Sequence, residues 1–303
     1  MSKLPLPLKL IIGGIGYNSF RLYMNITKSH PNVVNEEDTV RYILNNRCSV
    51  ARFGDGELLW IFQDRQKDNF EINSQRLAYK LNEVLNSSSD NLIICIPNVF
   101  NNFNNIDNNV KTYWEWLLTR KGVRVLKLLN SSKKYYSAQI TRPYMDYKKD
   151  KINFKKRFNN IKEIWKDRNL LIVEGDRTRF GVSNDLLDNA RSVQRVICPS
   201  TNAFEKYDTI FNKVKAKASV IDDVLVLAAL GPSATVLAFE LSNIGVQTID
   251  IGHLDIEYQW FKMNTKEKVP ITGKYVNELN VKFTKELAPK YLKKYKDEII
   301  YII

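Results

Sequence analysis

The sequence predicts an α/β fold, a mostly parallel sheet flanked by helices, and three observations predict it. Short apolar runs recur as continuous blocks rather than alternating residues, the pattern of strands buried on both faces. Helix-like segments separate those runs, as crossover connections require. A hydrophobic content of 44%, with 11% aromatics, gives a chain of 303 residues enough apolar material for a core.

In order, the strands are expected at Ser49–Phe53, Leu92–Ile96, Val123–Leu128, Leu170–Val173, Val193–Cys198, Val224–Ala229 and Val246–Ile251. Helices are expected over Glu37–Asn45, Ser74–Leu85, Val110–Thr119, Asn184–Asn189 and Ser233–Leu241. Between them, Phe154, Phe158, Ile161 and Trp165 fall at helical spacing. Ile152–Trp165 therefore reads as a basic amphipathic helix, packed on the core with its lysines in solvent. The stretch Lys266–Lys296 is lysine-rich, with Leu279, Phe283 and Leu287 also at helical spacing.

Lys and Arg outnumber acids 46 to 33, a net charge of +13 that favours phosphates, nucleic acid or anionic lipid headgroups as partners. Cys48, Cys95 and Cys198 are far apart and lie in or beside apolar runs. They read as buried thiols in a reducing compartment, not as disulfides or a zinc site. Only two histidines, His30 and His253, are present, which argues against a histidine-rich metal centre. No apolar run approaches the roughly 18 residues that span a bilayer, and Leu4–Tyr17 lacks the marks of a signal peptide. A cytoplasmic protein is expected, with a basic and aromatic surface suited to weak attachment at a membrane face.

Four stretches carry candidate chemistry. In Ser49–Leu59, a strand runs into Gly54-Asp55-Gly56-Glu57; the glycines let backbone approach a ligand, and two close carboxylates need a shared positive partner. That partner is either Arg52 or a hard cation such as Mg²⁺ or Mn²⁺. In Leu170–Leu187, a strand ends in Glu174-Gly175-Asp176 before an Arg177-x-Arg179 loop. Its arginines suit phosphate or an internal acid, and Ser183 or Asn184 suits the cap of the next helix. Val224–Ile251 reads as a βαβ unit whose Gly231-Pro232-Ser233 turn opens a helix and offers an anion site. In Ile251–Trp260, His253, Asp255 and Glu257 alternate with apolar residues; an extended segment would present all three on one face as a metal-ligand or acid/base set.

Together these stretches resemble the GT-D type glycosyltransferases of bacteria. The residues that carry the likeness are ARFGDGE at Ala51–Glu57, TRPY at Thr141–Tyr144 and EGDRTRFGVSNDLL at Glu174–Leu187. It continues through CPSTNAF at Cys198–Phe204, LGPSATVLAFELS at Leu230–Ser242, DIGHLDIEYQWF at Asp250–Phe261 and GKYVNE at Gly273–Glu278. The resemblance implies a Rossmann-like domain over residues 35–278 with a basic helical insertion, an N-terminal extension over 1–34 and a lysine-rich helical tail over 279–303. It further implies transfer of a sugar from a UDP-sugar to a glycan acceptor, without fixing the sugar; a hexose from UDP-glucose or similar, moved to a glycan or glycoprotein in surface glycoprotein or polysaccharide synthesis, is expected. By the same resemblance, Asp55 and Glu57 form the D-x-E motif that holds Mn²⁺ (or Mg²⁺) on the donor diphosphate; from the residues themselves, His253 is expected to complete the metal shell or touch the β-phosphate. Arg52, Gly54, Arg179, Asn184, Asp185, Gly231, Pro232 and Ser233 are the expected donor-binding residues, and Asp255 or Glu257 the expected general base. Two other readings compete. The net charge suits a nucleic-acid-binding protein, but no RNP, KH, zinc-finger or helix-turn-helix signature is visible, and no nucleic-acid partner is expected. A non-catalytic scaffold of a glycan assembly complex is the third.

Overall fold

The computed structural model describes residues 6–64, 70–279 and 285–303. The chain opens with α1 (Leu6–Thr27), β1 (Asn32–Val33), α2 (Glu36–Asn46) and β2 (Ser49–Arg52). Next come α3 (Asp55–Ile61), α4 (Gln75–Asn86), β3 (Leu92–Ile96), α5 (Asn108–Leu128), β4 (Lys134–Ser137) and α6 (Phe154–Lys162). The second half supplies β5 (Asn169–Gly175), β6 (Ser192–Cys198), α7 (Tyr207–Ala218), β7 (Val224–Ala229), α8 (Pro232–Ser242) and β8 (Thr248–Asp250). It closes with α9 (Leu254–Lys262), α10 (Pro289–Glu298) and β9 (Ile299–Ile302).

Among the described residues the strands form one sheet in the order β1-β4-β3-β2-β8-β7-β5-β6-β9, and every pairing in it is parallel. Helices cover both faces, which is why the strands read as unbroken apolar runs. Along β5, Leu171 and Val173 face a core shared with α1, α4, α5, α7 and α8, whereas Leu170 and Ile172 face one shared with α2, α6 and α9. The α/β fold with a mostly parallel sheet is thus present as the sequence predicts. The strand order changes direction between β2 and β8. An open α/β sheet binds its ligands at such a switch, beyond the carboxyl ends of the strands.

Several elements differ from expectation. Val123–Leu128 is not a strand but the last turns of α5; Val125 and Leu126 extend the buried stripe of Trp114, Leu117 and Leu118. Beyond it lies β4, a four-residue strand too short and polar at its start to stand out. Asn184–Asn189 forms turns rather than a helix, because the Asn184 side chain accepts the N–H of Leu186 and fixes the backbone locally. Leu254–Lys262 is a helix, not an extended segment, and its residues two apart point to different sides. The basic helix α6 is present, with Phe154, Phe158 and Ile161 buried as expected. Residues 6–27 pack along α5 as α1, and the last four strand residues pair with β6. Leu287 is buried in a small cluster with Tyr295, while Phe283 lies outside the described residues. Cys48, Cys95 and Cys198 are buried free thiols; burial pushes Cys48 and Cys198 up to about 12. No described helix is long and apolar enough to cross a membrane.

Candidate active site

A cleft of about 1150 Å³ opens over the β2–β8 junction. Its walls include Arg52, Gly54, Asp55, Glu57, Gly231 and His253. Asp55 is the first residue of α3 and Gly54 its N-cap. The Glu57 carboxylate reaches back to accept the Gly54 N–H at 2.7 Å, so Glu57 closes the turn that presents Asp55. Glu57 is buried, whereas Asp55 is partly exposed on the cleft wall and accepts a short hydrogen bond from the Tyr113 hydroxyl of α5.

Arg52 ends β2 and pairs with Asp250, which ends β8, at 3.6 Å. The Thr235 hydroxyl of α8 lies 2.9 Å from Asp250 Oδ2 and 3.0 Å from the Arg52 carbonyl oxygen, tying the two strands together. Burial pushes the Asp250 carboxyl up to about 6, opposed by Arg52 and reinforced by Glu57. Gly252 lies directly against the guanidinium: with φ +49°, a Cβ there would stand 2.9 Å from Arg52 Nη2. At Gly54 a Cβ would stand 3.1 Å from Glu57 Oε2 and 3.5 Å from Arg52 Nη1. A carboxylate and a guanidinium therefore converge on one strip of bare backbone at the cleft floor. Of the α8 start, only Gly231 reaches the cleft; Pro232 and Ser233 are buried, and the Phe70 ring covers Gly231.

His253 is the N-cap of α9. Burial drops its pKa to about 4 against the pull of Glu278, and Arg142 and Arg52 add to the depression, so it is neutral at pH 7. Asp55, Glu57 and His253 share the cleft, yet among the described residues no three His, Cys, Asp or Glu side chains form a metal-holding cluster.

The other expected residues are engaged with protein groups, although Asp255 also borders the cleft. Asp255 is 2% exposed. Its carboxylate takes Lys274 Nζ at 2.5 Å, the Gly181 N–H at 3.0 Å and Asn184 Nδ2 at 2.8 Å. Glu257 is fully buried, and its Oε2 accepts the N–H groups of Tyr144 and Met145 at 2.9 and 2.7 Å. Burial pushes its carboxyl up to about 7 against the pull of Arg142. Arg179 is turned from the cleft toward the Gly273 carbonyl and Glu286, each at 2.9 Å. Asp185 meets Lys262 at 3.2 Å on the surface. Asp255 and Asn184 thus organise one loop, Glu257 holds another, and Arg179 and Asp185 lie off the cleft.

Residues that sequence reasoning did not single out complete the wall. Arg142 donates to Glu278 at 2.6 Å and to Asp146 at 3.2 Å, and Lys268 meets Glu278 at 2.5 Å. Burial opposes the charge on Glu278, but Arg142 and His253 beside it hold its carboxyl well below the usual range. Arg142 and Glu278 belong to the TRPY and GKYVNE stretches, so the signal was in hand; Tyr113 gave none.

Residues 50–279 match the family model described as glycosyltransferase GT-D fold. The chain belongs to this family. Two relatives named as glycosyltransferases match it as well. The chain is 36% identical over 249 residues to the probable glycosyl transferase Gly of Streptococcus gordonii and 34% identical over 250 residues to glycosyltransferase GlyD of Streptococcus pneumoniae serotype 4. These alignments cover 82% and 80% of this chain but only 36% and 29% of those proteins, so the chain spans about a third of the length of the relatives it matches. Among solved structures, the domain of unknown function 1792, described as a distinct glycosyltransferase fold, superposes with a TM-score of 0.85 at 33% identity. That match covers 95% of this chain and 99% of that one. A glycosyltransferase of the same domain type from Streptococcus sanguinis gives 0.82 at 31% identity, over 90% and 99%.

Proposed function

We propose that this GT-D chain transfers a hexose from a UDP-sugar to a glycan or glycoprotein acceptor, with Mn²⁺ or Mg²⁺ on the donor diphosphate. The observation that carries the reading is the meeting of Glu57 and Arg52 at the bare backbone of Gly54 and Gly252, with Asp55 on the adjoining cleft wall. The donor set fits such a cation: ions that act on phosphates take one or two carboxylates and fill the remaining positions with phosphate oxygens and water. Asp55 would hold it, with Glu57 behind. When bound, the ion neutralises negative charge that develops on the leaving diphosphate.

The chain's own residues do the rest. Arg52, oriented by Asp250 and lying flat against Gly252, donates N–H groups to phosphate oxygens. Neutral His253 offers a ring nitrogen to the same ligand without adding charge. Tyr113 fixes the Asp55 rotamer from across the cleft. Fixed donors aimed at a leaving group lower its barrier because they need no reorganisation. The general base is left unassigned: both Asp255 oxygens are taken by Lys274, Gly181 and Asn184, and Glu257 is fully buried with Oε2 held by the Tyr144 and Met145 N–H groups.

Thermal shift with UDP, with and without Mn²⁺, tests the reading. Stabilisation by UDP that requires Mn²⁺ and vanishes in Asp55→Ala is expected; a UDP response indifferent to EDTA and to Asp55→Ala would overturn the metal role.

A further inference from the structure

The solvent side of α1 carries an apolar stripe that the fold does not use. Ile15, Leu22 and Ile26 are 65, 59 and 72% exposed. Their helical spacing puts them on one line, about 16 Å long at 1.5 Å of rise per residue. On α5, packed alongside, Trp116 and Val123 are exposed as well.

The stripe has no way to turn inward. The opposite side of α1 is already committed to the core through Tyr17, Phe20 and Met24. Two glycines draw the helices together: a Cβ at Gly16 would collide with Thr119, and one at Gly122 with the Phe20 ring. Apolar residues on the solvent side of a helix so fixed call for a second partner.

The charges along its edges have one sign. Between Leu6 and Thr27, α1 has no Asp or Glu, while Arg21 and the adjoining Lys28 are exposed. On α5, Arg120 lies 5.0 Å from the centre of the Trp116 ring and Lys127 sits in the last turn, both exposed. The one acid of α5, Glu115, pairs with Lys111 at 3.6 Å, and Asp64 is held by Lys121 and Arg124 at 2.7 and 2.9 Å.

Aliphatic side chains edged by arginine, lysine and tryptophan match the boundary between lipid headgroups and acyl chains. There the aliphatics enter, the long cations reach phosphates, and an indole spans the two. Three aliphatic side chains fall short of the roughly 800 Å² a side that a stable protein–protein interface buries. At a bilayer, by contrast, apolar burial and attraction to anionic lipid add.

We propose that the outer face of α1, with the cationic edge of α5, attaches this chain to the surface of an anionic lipid bilayer, lying on it without crossing it. Tyr113, one turn before Trp116 on α5, lines the cleft, so attachment sets one cleft wall beside the headgroups. The inference goes beyond the transferase reading and does not depend on what the cleft binds.

The test is co-sedimentation of the full chain with phosphatidylcholine vesicles, with and without phosphatidylglycerol, at low and high salt. A UDP–Mn²⁺ thermal shift on the same preparations reports the cleft separately. Binding that requires phosphatidylglycerol and weakens with salt is expected. Leu22→Ser with Ile26→Ser should abolish it, and Arg21→Gln with Lys127→Gln should weaken it about fivefold for each cation removed. All four positions are exposed, so both variants should keep the wild-type melting temperature and UDP response. A wild type that ignores phosphatidylglycerol, or variants that bind as well as the wild type, overturn the proposal. So does a concentration-dependent dimer that Leu22→Ser with Ile26→Ser dissociates, which would give the stripe to a second copy of the chain.

Discussion

The chain carries the same spacing twice, Asp55-Gly56-Glu57 and Asp255-Ile256-Glu257, each in the first turn of a helix that follows one of two neighbouring strands. The two copies have opposite fates. Asp55 is flanked by glycines and meets one neutral hydroxyl from Tyr113, so its charge is turned to the cleft. Asp255 is followed by an isoleucine, sinks to 2% exposure and meets a buried ammonium. Glu57 closes its own helix start, whereas Glu257 reaches across to Tyr144 and Met145. Spacing alone therefore assigns nothing; what surrounds the pair decides whether its charge faces the open cleft or a loop.

The comparison breaks most visibly in Asp55→Ala. Transfer is expected to fall about 1000-fold, worth about 4 kcal/mol of barrier, with melting temperature nearly unchanged, because a partly exposed carboxylate held by one hydroxyl contributes little to the fold. Activity assay and calorimetry on one preparation check both halves. Asp255→Ala should do the reverse. It strands Lys274 without its partner, which costs about 3–5 kcal/mol of stability, and the double variant Asp255→Ala with Lys274→Met should recover much of that in chemical denaturation.

Glu57 shares features of both pairs, and a milder change reads it. Glu57→Gln keeps an oxygen for the Gly54 N–H, so the fold should hold, while transfer drops about tenfold, equivalent to about 1.4 kcal/mol; a loss of about the same free energy in chemical denaturation would show a purely structural role. The smallest effect is expected from His253→Gln, read through pH. The folded ring titrates at about 4 and the unfolded one near 6.5, so the unfolded chain binds more protons between those values and stability falls as pH drops through that window. His253→Gln should flatten that part of the stability–pH curve, and a slope left intact would assign it to other groups.

The sheet was largely legible because buried parallel strands announce themselves: Leu92–Ile96 and Val224–Ala229 fall where their apolar runs end. Val123–Leu128 misled because a short β-branched run is equally at home on the buried face of α5. The site was legible where backbone chemistry shaped it, at Gly54 and Asp55. It was not legible where long-range pairing did, as in Arg142 with Glu278, 136 residues apart. Arg179 shows the converse. A residue suited to phosphate was drawn to Glu286 and the Gly273 carbonyl, partners no local pattern reveals.

The seam between β2 and β8 also sets the order in which this molecule can become competent. Gln247 Nε2 reaches the Cys48 carbonyl at 3.0 Å, and Thr248 N reaches Ser49 Oγ at 2.9 Å, contacts 199 residues apart. Closing so long a loop comes at an entropic cost before the new contacts return anything, which slows folding. Arg52 meets Asp250 only once that seam has closed. In refolding experiments, UDP binding is expected to return with the slowest phase, well behind the far-ultraviolet circular dichroism; simultaneous recovery would mean the seam forms at the outset.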